Sequence, residues 1–418
     1  MKKLLIAVLC LMLTGCAAPA PSDGSGPDRS VSPDIPAPSP VASSAPNGES
    51  GTPQASPETD PETAENPSAS QEPSESSLGP QNQEQIIQEL LSAMTLEEKV
   101  GQMFFVRCPE TGGAELAAQY KVGGYLLFGR DFKDKTAQQV RDDIQSYQDA
   151  SGIPLLIGTD EEGGTVVRAS SNPDLFPQRE PAPQTLFAQG GMDLILQDAR
   201  QKSMTLLDLG VNVNFAPVAD VSTDPADFIY ARSFGQDAQA TANYVAQVVG
   251  VMGEEQIGSV LKHFPGYGNN VDTHTGIALD QRPYETFQTS DFLRFQAGIQ
   301  AGADAVLVSH NIAASMDESL PASLSPTVHK VLREELGFDG VVLTDDLAMD
   351  AVMEYAQNGS AAVLAIQAGN DMVVTTDFQT QIPQVIHAVQ SGVIAESQID
   401  QAVTRVLNWK YELGLLGN

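Results

Sequence analysis

The sequence predicts a TIM-like (β/α)8 barrel, and three observations predict it. Eight short, nearly continuous apolar runs recur between Gln102 and Thr375. Longer amphipathic stretches separate them, which implies parallel strands covered on their faces. Polar residues cluster directly after several runs, at the end where such a barrel carries its chemistry. A doubly wound open sheet is the competing arrangement. It is weakened because no GxGxxG turn follows the first strand.

The elements follow in order. A helix opens near Gln83, and Thr95 with Glu98 three residues later forms a capping-box pattern for the next turn. The strand candidates are 102–106, 124–128, 155–158, 211–215, 259–263, 305–309, 341–344 and 372–375. Helical stretches lie at 137–149, 193–209, 238–254, 285–301, 327–336, 361–368 and 383–391, with a last helix at 396–413.

A barrel requires its chemistry just after the strands, and the polar residues sit there. Strand three runs into Asp160-Glu161-Glu162-Gly163-Gly164, with Arg168 close behind. Strand five runs into Lys262-His263-Phe264-Pro265-Gly266, His310 closes strand six, and Asp345-Asp346 close strand seven. Any one of these reads equally as a satisfied structural group. Four of eight strands ending this way point to a site.

Adjacent strand residues point to opposite sides, so one carboxylate of Asp345-Asp346 is expected in the barrel mouth. The pair reads either as a helix cap or as a nucleophile for an anomeric carbon. The segment 264–283 is a loop of about twenty residues, a length that usually marks function. It carries Asp272-Thr273-His274. A carboxylate beside a histidine accepts one ring N–H, fixes the tautomer and leaves the other nitrogen for proton transfer. As a two-residue pattern alone it is equally a chance match.

Lys262 and His263 offer fixed positive charge and a hydrogen-bonding ring at a strand end; a buried structural histidine is the other reading of His263. Asp160 and Arg168 either pair across a turn or match vicinal sugar hydroxyls, which need acceptor and donor side by side. Arg232 is a further clamp. His329 and His387 lie on predicted helices and read as filler or surface residues.

The chain has 418 residues and a formal net charge of −32. Such acidity repels phosphate backbones and anionic headgroups, which argues against nucleic acid and against electrostatic membrane binding. Residues 1–80 hold 14 of the 27 prolines, and no aromatic residue occurs from Ala17 to Pro80. That stretch cannot bury enough apolar surface to offset its chain entropy, so a disordered linker is expected over 17–81. The remaining residues carry a balance of −25, so most of the acidity belongs to the domain expected over 82–418.

Lys2 and Lys3 precede an apolar run, 4–13, that is too short to span a bilayer. The run ends in Leu13-Thr14-Gly15-Cys16. Residues 1–16 thus resemble a bacterial lipoprotein signal with Cys16 as the lipidated residue; an ordinary secretory signal is the alternative. The expected location is extracytoplasmic, with a lipid anchor in the cell membrane and the linker as tether. Cys108 then remains as the free thiol and is expected to be a small buried residue. No CxxC or Cys/His cluster suggests a metal, and no cofactor is expected.

MTLEEKVGQM at 94–103, DEEGGTVVR, ARSFG, KHFPGYG, DTH and LTDDL occur in that order. Together they resemble the family 3 glycoside hydrolases, in the branch of β-N-acetylhexosaminidases acting on peptidoglycan fragments. LREELGF before strand seven and AGNDM before strand eight add to the likeness. The resemblance implies Asp345 as nucleophile, His274 assisted by Asp272 as acid/base, and Asp160, Arg168, Arg232, Lys262 and His263 as sugar-binding residues. It implies a carbohydrate substrate, with retaining release of terminal β-linked N-acetylglucosamine through a glycosyl-aspartate. It also implies a single-domain member. Two positions depart from the family pattern: Glu161 stands where glutamine is usual, and Tyr267 where histidine is usual. Phosphorolysis, β-glucosidase or xylosidase activity on the same fold, and a sugar-binding lipoprotein without catalysis are the alternatives.

Overall fold

The computed structural model describes residues 80–271, 276, 278–349, 352, 355 and 360–417. Cys16, the leader and the linker through residue 79 lie outside the described residues, as do Asp272 and His274.

The predicted barrel is present. Its strands, first to eighth, are Phe104–Arg107, Gly124–Leu127, Leu156–Thr159, Val213–Asn214, Gly258–Phe264, Ala305–Val308, Val341–Thr344 and Val373–Thr375. They pair in parallel in chain order, and the first strand also pairs with the eighth, Phe104 opposite Val373. A parallel bridge between Leu343 and Met372 brings the seventh strand against the chain entering the eighth, which leaves the sheet nearly closed.

The local signals worked where side chains define an element. Thr95 and Glu98 form the expected reciprocal cap on the helix Leu96–Gln102, and Ala238–Glu254 and Ala361–Ala368 match their predicted spans. The 193–209 helix is the second half of Pro183–Asp208, which breaks at Gly190 and Gly191. Two adjacent glycines erase the amphipathic period there. The helix Gly113–Tyr120 went unpredicted; it starts after Gly112, at φ 73°, with no side-chain cap. The two-residue strands Leu279–Asp280 and Ile312–Ala313 pair in parallel beside the barrel, and so subdivide the long loop after strand five.

Two apolar layers hold the barrel. Inside it, Phe105, Leu126, Val213, Phe215, Leu307 and Leu343 pack together, with Val406 and Trp409 of the helix Glu396–Glu412 closing one end. Phe105 and Phe215 meet edge to face, their centroids 5.2 Å apart. A second layer lies between strands and helices and includes Cys108, which is buried as expected. Burial pushes its thiol pKa up to about 12, so the group stays protonated and inert. His329 is buried filler and His387 is exposed.

Strand alternation also sets the site. Phe105 faces inward, so Arg107 two residues later faces the barrel mouth. In strand five the register slips, with Lys262 opposite Leu307 but Phe264 opposite Val308. A bulge of this kind re-aims side chains. Lys262 and His263, although adjacent, both line the mouth.

Candidate active site

A cavity of about 660 Å³ opens at the C-terminal ends of the strands, a size suited to a small ligand. Asp160, Arg168, Arg232, Lys262, His263 and Asp345 all line it, so the described residues among the predicted set converge on one site.

Their side chains interlock. Asp160 accepts from Lys262 Nζ at 2.8 Å and from Arg168 Nη2 at 3.3 Å. Lys262 Nζ also lies 2.5 Å from Glu162 Oε1. Arg232 grips Glu162 with both ends of its fork, Nε at 3.0 Å and Nη2 at 2.7 Å. Burial alone raises the Glu162 carboxyl, but Arg232 and Lys262 outweigh it and hold the group well below the usual carboxylate range. The site therefore keeps a fixed anion between two fixed cations.

The chain continues through the imidazole. Arg232 Nη2 lies 3.1 Å from His263 Nε2. A guanidinium only donates, so Nε2 accepts and the ring proton sits on Nδ1. Nδ1 donates to Asp220 Oδ2 at 2.7 Å. Asp220 is fully buried and also accepts the backbone N–H groups of His263, at 3.1 Å, and Tyr267, at 2.8 Å. Burial raises its carboxyl pKa, but His263 and the other donors bring it below the ordinary value.

Asp345 and Asp346 both line the cavity, which corrects the expectation of one carboxylate there. Strand seven ends at Thr344, so the alternation rule stops one residue before the pair. Asp345 Oδ1 accepts the Asp346 N–H at 2.8 Å, and Asp346 Oδ1 accepts the Ala348 N–H at 3.0 Å. Asp346 thus caps the turn, as one of the two sequence readings had it. His310 supports this turn from below: Nε2 donates to the Asp346 carbonyl at 3.0 Å while Nδ1 meets Ser323 Oγ at 2.7 Å.

The two departures from the family pattern have structural consequences. Glu161 is fully buried and accepts from the backbone N–H groups of Arg168, Ala169 and Ser170 at 2.9, 2.7 and 3.3 Å, and from Ser170 Oγ at 2.5 Å. Glutamine brings one acceptor oxygen instead of two, so this carboxylate fixes the Arg168 turn more fully. Tyr267 is buried with its ring edge-on to His263, centroids 5.2 Å apart.

The base of the long loop is clamped. Arg282 Nη2 donates to Asp280 Oδ2 at 2.7 Å and to the Gly266 carbonyl at 3.0 Å, while Nη1 reaches Asp291 at 3.0 Å. Gly266 stands at φ 125°, and a Cβ there would lie 1.9 Å from Asp291 Oδ1. Both ends of the segment bearing Asp272 and His274 are thereby tied to one buried ion network.

Sequence reasoning missed Glu162, Asp220 and Arg107. Glu162 stood in view within DEEGG, but nothing local told it apart from Glu161. Asp220 follows a two-residue strand and carries no motif. Arg107 was hidden at the end of an apolar run. Among the described residues no His/Cys/Asp/Glu group is arranged to hold a metal ion.

The family model for the glycosyl hydrolase family 3 N-terminal domain matches residues 95–409. A beta-hexosaminidase of Stenotrophomonas maltophilia is 35% identical over 318 residues, covering 73% of this chain and 89% of that one. Among solved structures, a family 3 β-N-acetylglucosaminidase from Paenibacillus superposes with a TM-score of 0.71 at 30% identity, over 78% of this chain. The match spans 64% of the Paenibacillus chain, so this protein covers less than two thirds of that enzyme. A β-N-acetylhexosaminidase from Beutenbergia cavernae gives a TM-score of 0.66 at 28% identity, over 75% of this chain and 98% of that one.

Proposed function

Since the chain belongs to glycosyl hydrolase family 3, and is thereby a glycoside hydrolase, we propose that it is a retaining exo-β-N-acetylhexosaminidase. Its substrate in this reading is a peptidoglycan-derived fragment bearing a terminal β-linked N-acetylglucosamine. The observation that carries the reading is the shared cavity, in which Asp345 lines the same space as the Asp160–Lys262–Glu162–Arg232–His263 network. Such a network offers acceptors and donors together, as sugar hydroxyls require. The names of the relatives support the N-acetylated sugar.

Asp345 attacks the anomeric carbon while His274, its ring oriented by Asp272, protonates the leaving oxygen. The glycosyl-aspartate formed is then hydrolysed by a water that His274 deprotonates, and the sugar leaves with its configuration kept. Asp160, Arg168, Arg232, Lys262 and His263 hold the sugar. Comparing nitrophenyl β-glycosides with and without the 2-acetamido group tests the reading; a preference for the plain glucoside would refute it. Added phosphate gives free N-acetylglucosamine if water is the acceptor, and a sugar 1-phosphate if the enzyme is a phosphorylase.

The same reading places the enzyme outside the cytoplasm, anchored in the cell membrane through lipid on Cys16. Membrane fractionation of the wild type and Cys16→Ala tests this; equal release of both proteins into the soluble fraction would refute it.

A further inference from the structure

Two features singled out in the sequence have no part in the catalysis proposed above: His310, at the end of strand six, and the AGNDM segment before strand eight. The structure joins them behind the nucleophile. Asn370, from that segment, donates through Nδ2 to the Ser323 carbonyl at 2.8 Å and to the Ala365 carbonyl at 2.7 Å. The Ser323 N–H is held by the Ser309 carbonyl at 3.0 Å, so this serine is fixed through both of its backbone groups. Its hydroxyl meets His310 Nδ1 at 2.7 Å, and His310 Nε2 meets the Asp346 carbonyl at 3.0 Å.

These contacts have a direction. A carbonyl oxygen only accepts, so Nε2 carries the ring proton, and in the neutral imidazole Nδ1 is left to accept the Ser323 O–H. His310, Ser323 and Asn370 are all buried, away from water that would exchange these partners. Beyond the ring the line reaches Asp345. The Asp346 carbonyl is taken by His310, and the N–H of the same residue donates to Asp345 Oδ1 at 2.8 Å. Neighbouring strands pin the backbone on either side, with the Asp345 N–H on the Val308 carbonyl and the Leu347 N–H on the Val374 carbonyl, both at 2.9 Å. Asp346 lies between these two anchors, and its carbonyl is held by a side chain instead of by a strand.

We propose that His310 is a positioning residue for the Asp345 nucleophile, acting through the backbone of Asp346, with Ser323 and Asn370 setting its tautomer and its place. The inference rests on the glycosidase reading above, and it gives His310 no contact with the sugar. Without the Nε2 donor the Asp346 carbonyl is released to turn, and the N–H that aims Asp345 Oδ1 turns with it. A nucleophile works only from near-attack geometry, and a displacement of about 1 Å costs on the order of 100-fold. The Asp160–His263 network, on strands three to five and their loops, makes none of these contacts, so sugar binding is expected to survive.

The test compares His310→Leu, His310→Gln and Ser323→Ala in turnover of a nitrophenyl β-N-acetylglucosaminide, with kcat expressed per sugar-binding site counted by calorimetric titration with N-acetylglucosamine. His310→Leu should lower kcat per site by roughly 10- to 100-fold at a nearly unchanged Kd for the sugar. His310→Gln brings an amide donor to the region of Nε2 and should recover part of that loss. Ser323→Ala keeps the imidazole but lets it take the other tautomer, and should cost roughly 3- to 10-fold in kcat per site. This small substitution carries the test if the leucine variant does not fold. A purely structural role would lower the number of binding sites and leave kcat per site unmoved, and that result overturns the proposal. A rise in Kd that accounts for the lost turnover would place His310 in sugar binding and overturns it as well. If wild type does not hydrolyse the N-acetylglucosaminide, the glycosidase reading fails and the proposal falls with it. Wild-type turnover with kcat per site unmoved in the variants sinks the proposal and leaves that reading intact.

Discussion

His263 donates its Nδ1 proton to the buried carboxylate of Asp220 across 2.7 Å, and this one contact sets which ring nitrogen faces the cavity. The same carboxylate holds the backbone of His263 and Tyr267, so it ties the bulged end of strand five to the start of the long loop. Asp220→Asn keeps the shape but removes the charge, and an amide turned to donate would demand the other tautomer. Turnover of a nitrophenyl N-acetylglucosaminide should fall roughly 10- to 100-fold, because a misoriented binding group costs on that scale. Circular dichroism should show a folded barrel. Full activity in Asp220→Asn would reject this role.

Asp345→Ala removes the proposed nucleophile from the turn after strand seven. The neighbouring Asp346 cannot replace it while its Oδ1 is held by the Ala348 N–H. Turnover should drop by roughly 10⁴-fold or more, while binding of N-acetylglucosamine persists. Calorimetric titration with the sugar checks the second half. A variant as active as wild type would sink the assignment.

How much of this was legible depends on the range of each signal. The eight strands and the Thr95–Glu98 cap were readable because periodicity and capping act over a few residues. The convergence of Asp160, Arg168, Arg232, Lys262, His263 and Asp345 followed from the barrel rule together with the motifs. Asp220 was not legible: its partner lies 43 residues downstream, and only the closed sheet brings them together. The pairing of Glu162 with Arg232, 70 residues apart, is of the same kind. The inward placement of both Lys262 and His263 needed the strand-five bulge, which no local residue pattern announces.

Glu162 links this network to pH. Burial raises its carboxyl, but Arg232 and Lys262 more than offset that and depress it below the ordinary glutamate value of 4.5. A carboxyl with a lowered folded pKa stabilises the fold above its unfolded pKa, and the contribution is lost as pH falls through the folded pKa. Glu162→Gln leaves Arg232 without its carboxylate and should cost about 3–5 kcal/mol at pH 7. The gap between wild type and variant should narrow as pH drops below the unfolded value. Urea titrations at pH 7 and at acid pH measure it; a gap that widens in acid contradicts the pairing.

Lys410 acts in the same direction but over a higher pH range. It lies fully buried in the last helix, with Nζ donating to Gln102 Oε1 at 2.6 Å. Burial pushes its pKa down from 10.5 to about 7. Between those values the unfolded chain binds a proton that the folded one does not, so stability falls as pH drops from about 10 to 7 and then levels off. Lys410→Met cannot take up this proton. It does leave Gln102 Oε1 without its donor, a cost of about 1–3 kcal/mol that does not vary with pH. Relative to the variant, wild type should therefore lose about 3–5 kcal/mol between pH 10 and pH 7. Guanidinium unfolding of both proteins at the two pH values reads that difference directly. The same difference at both pH values would mean that Lys410 is charged in the folded protein throughout.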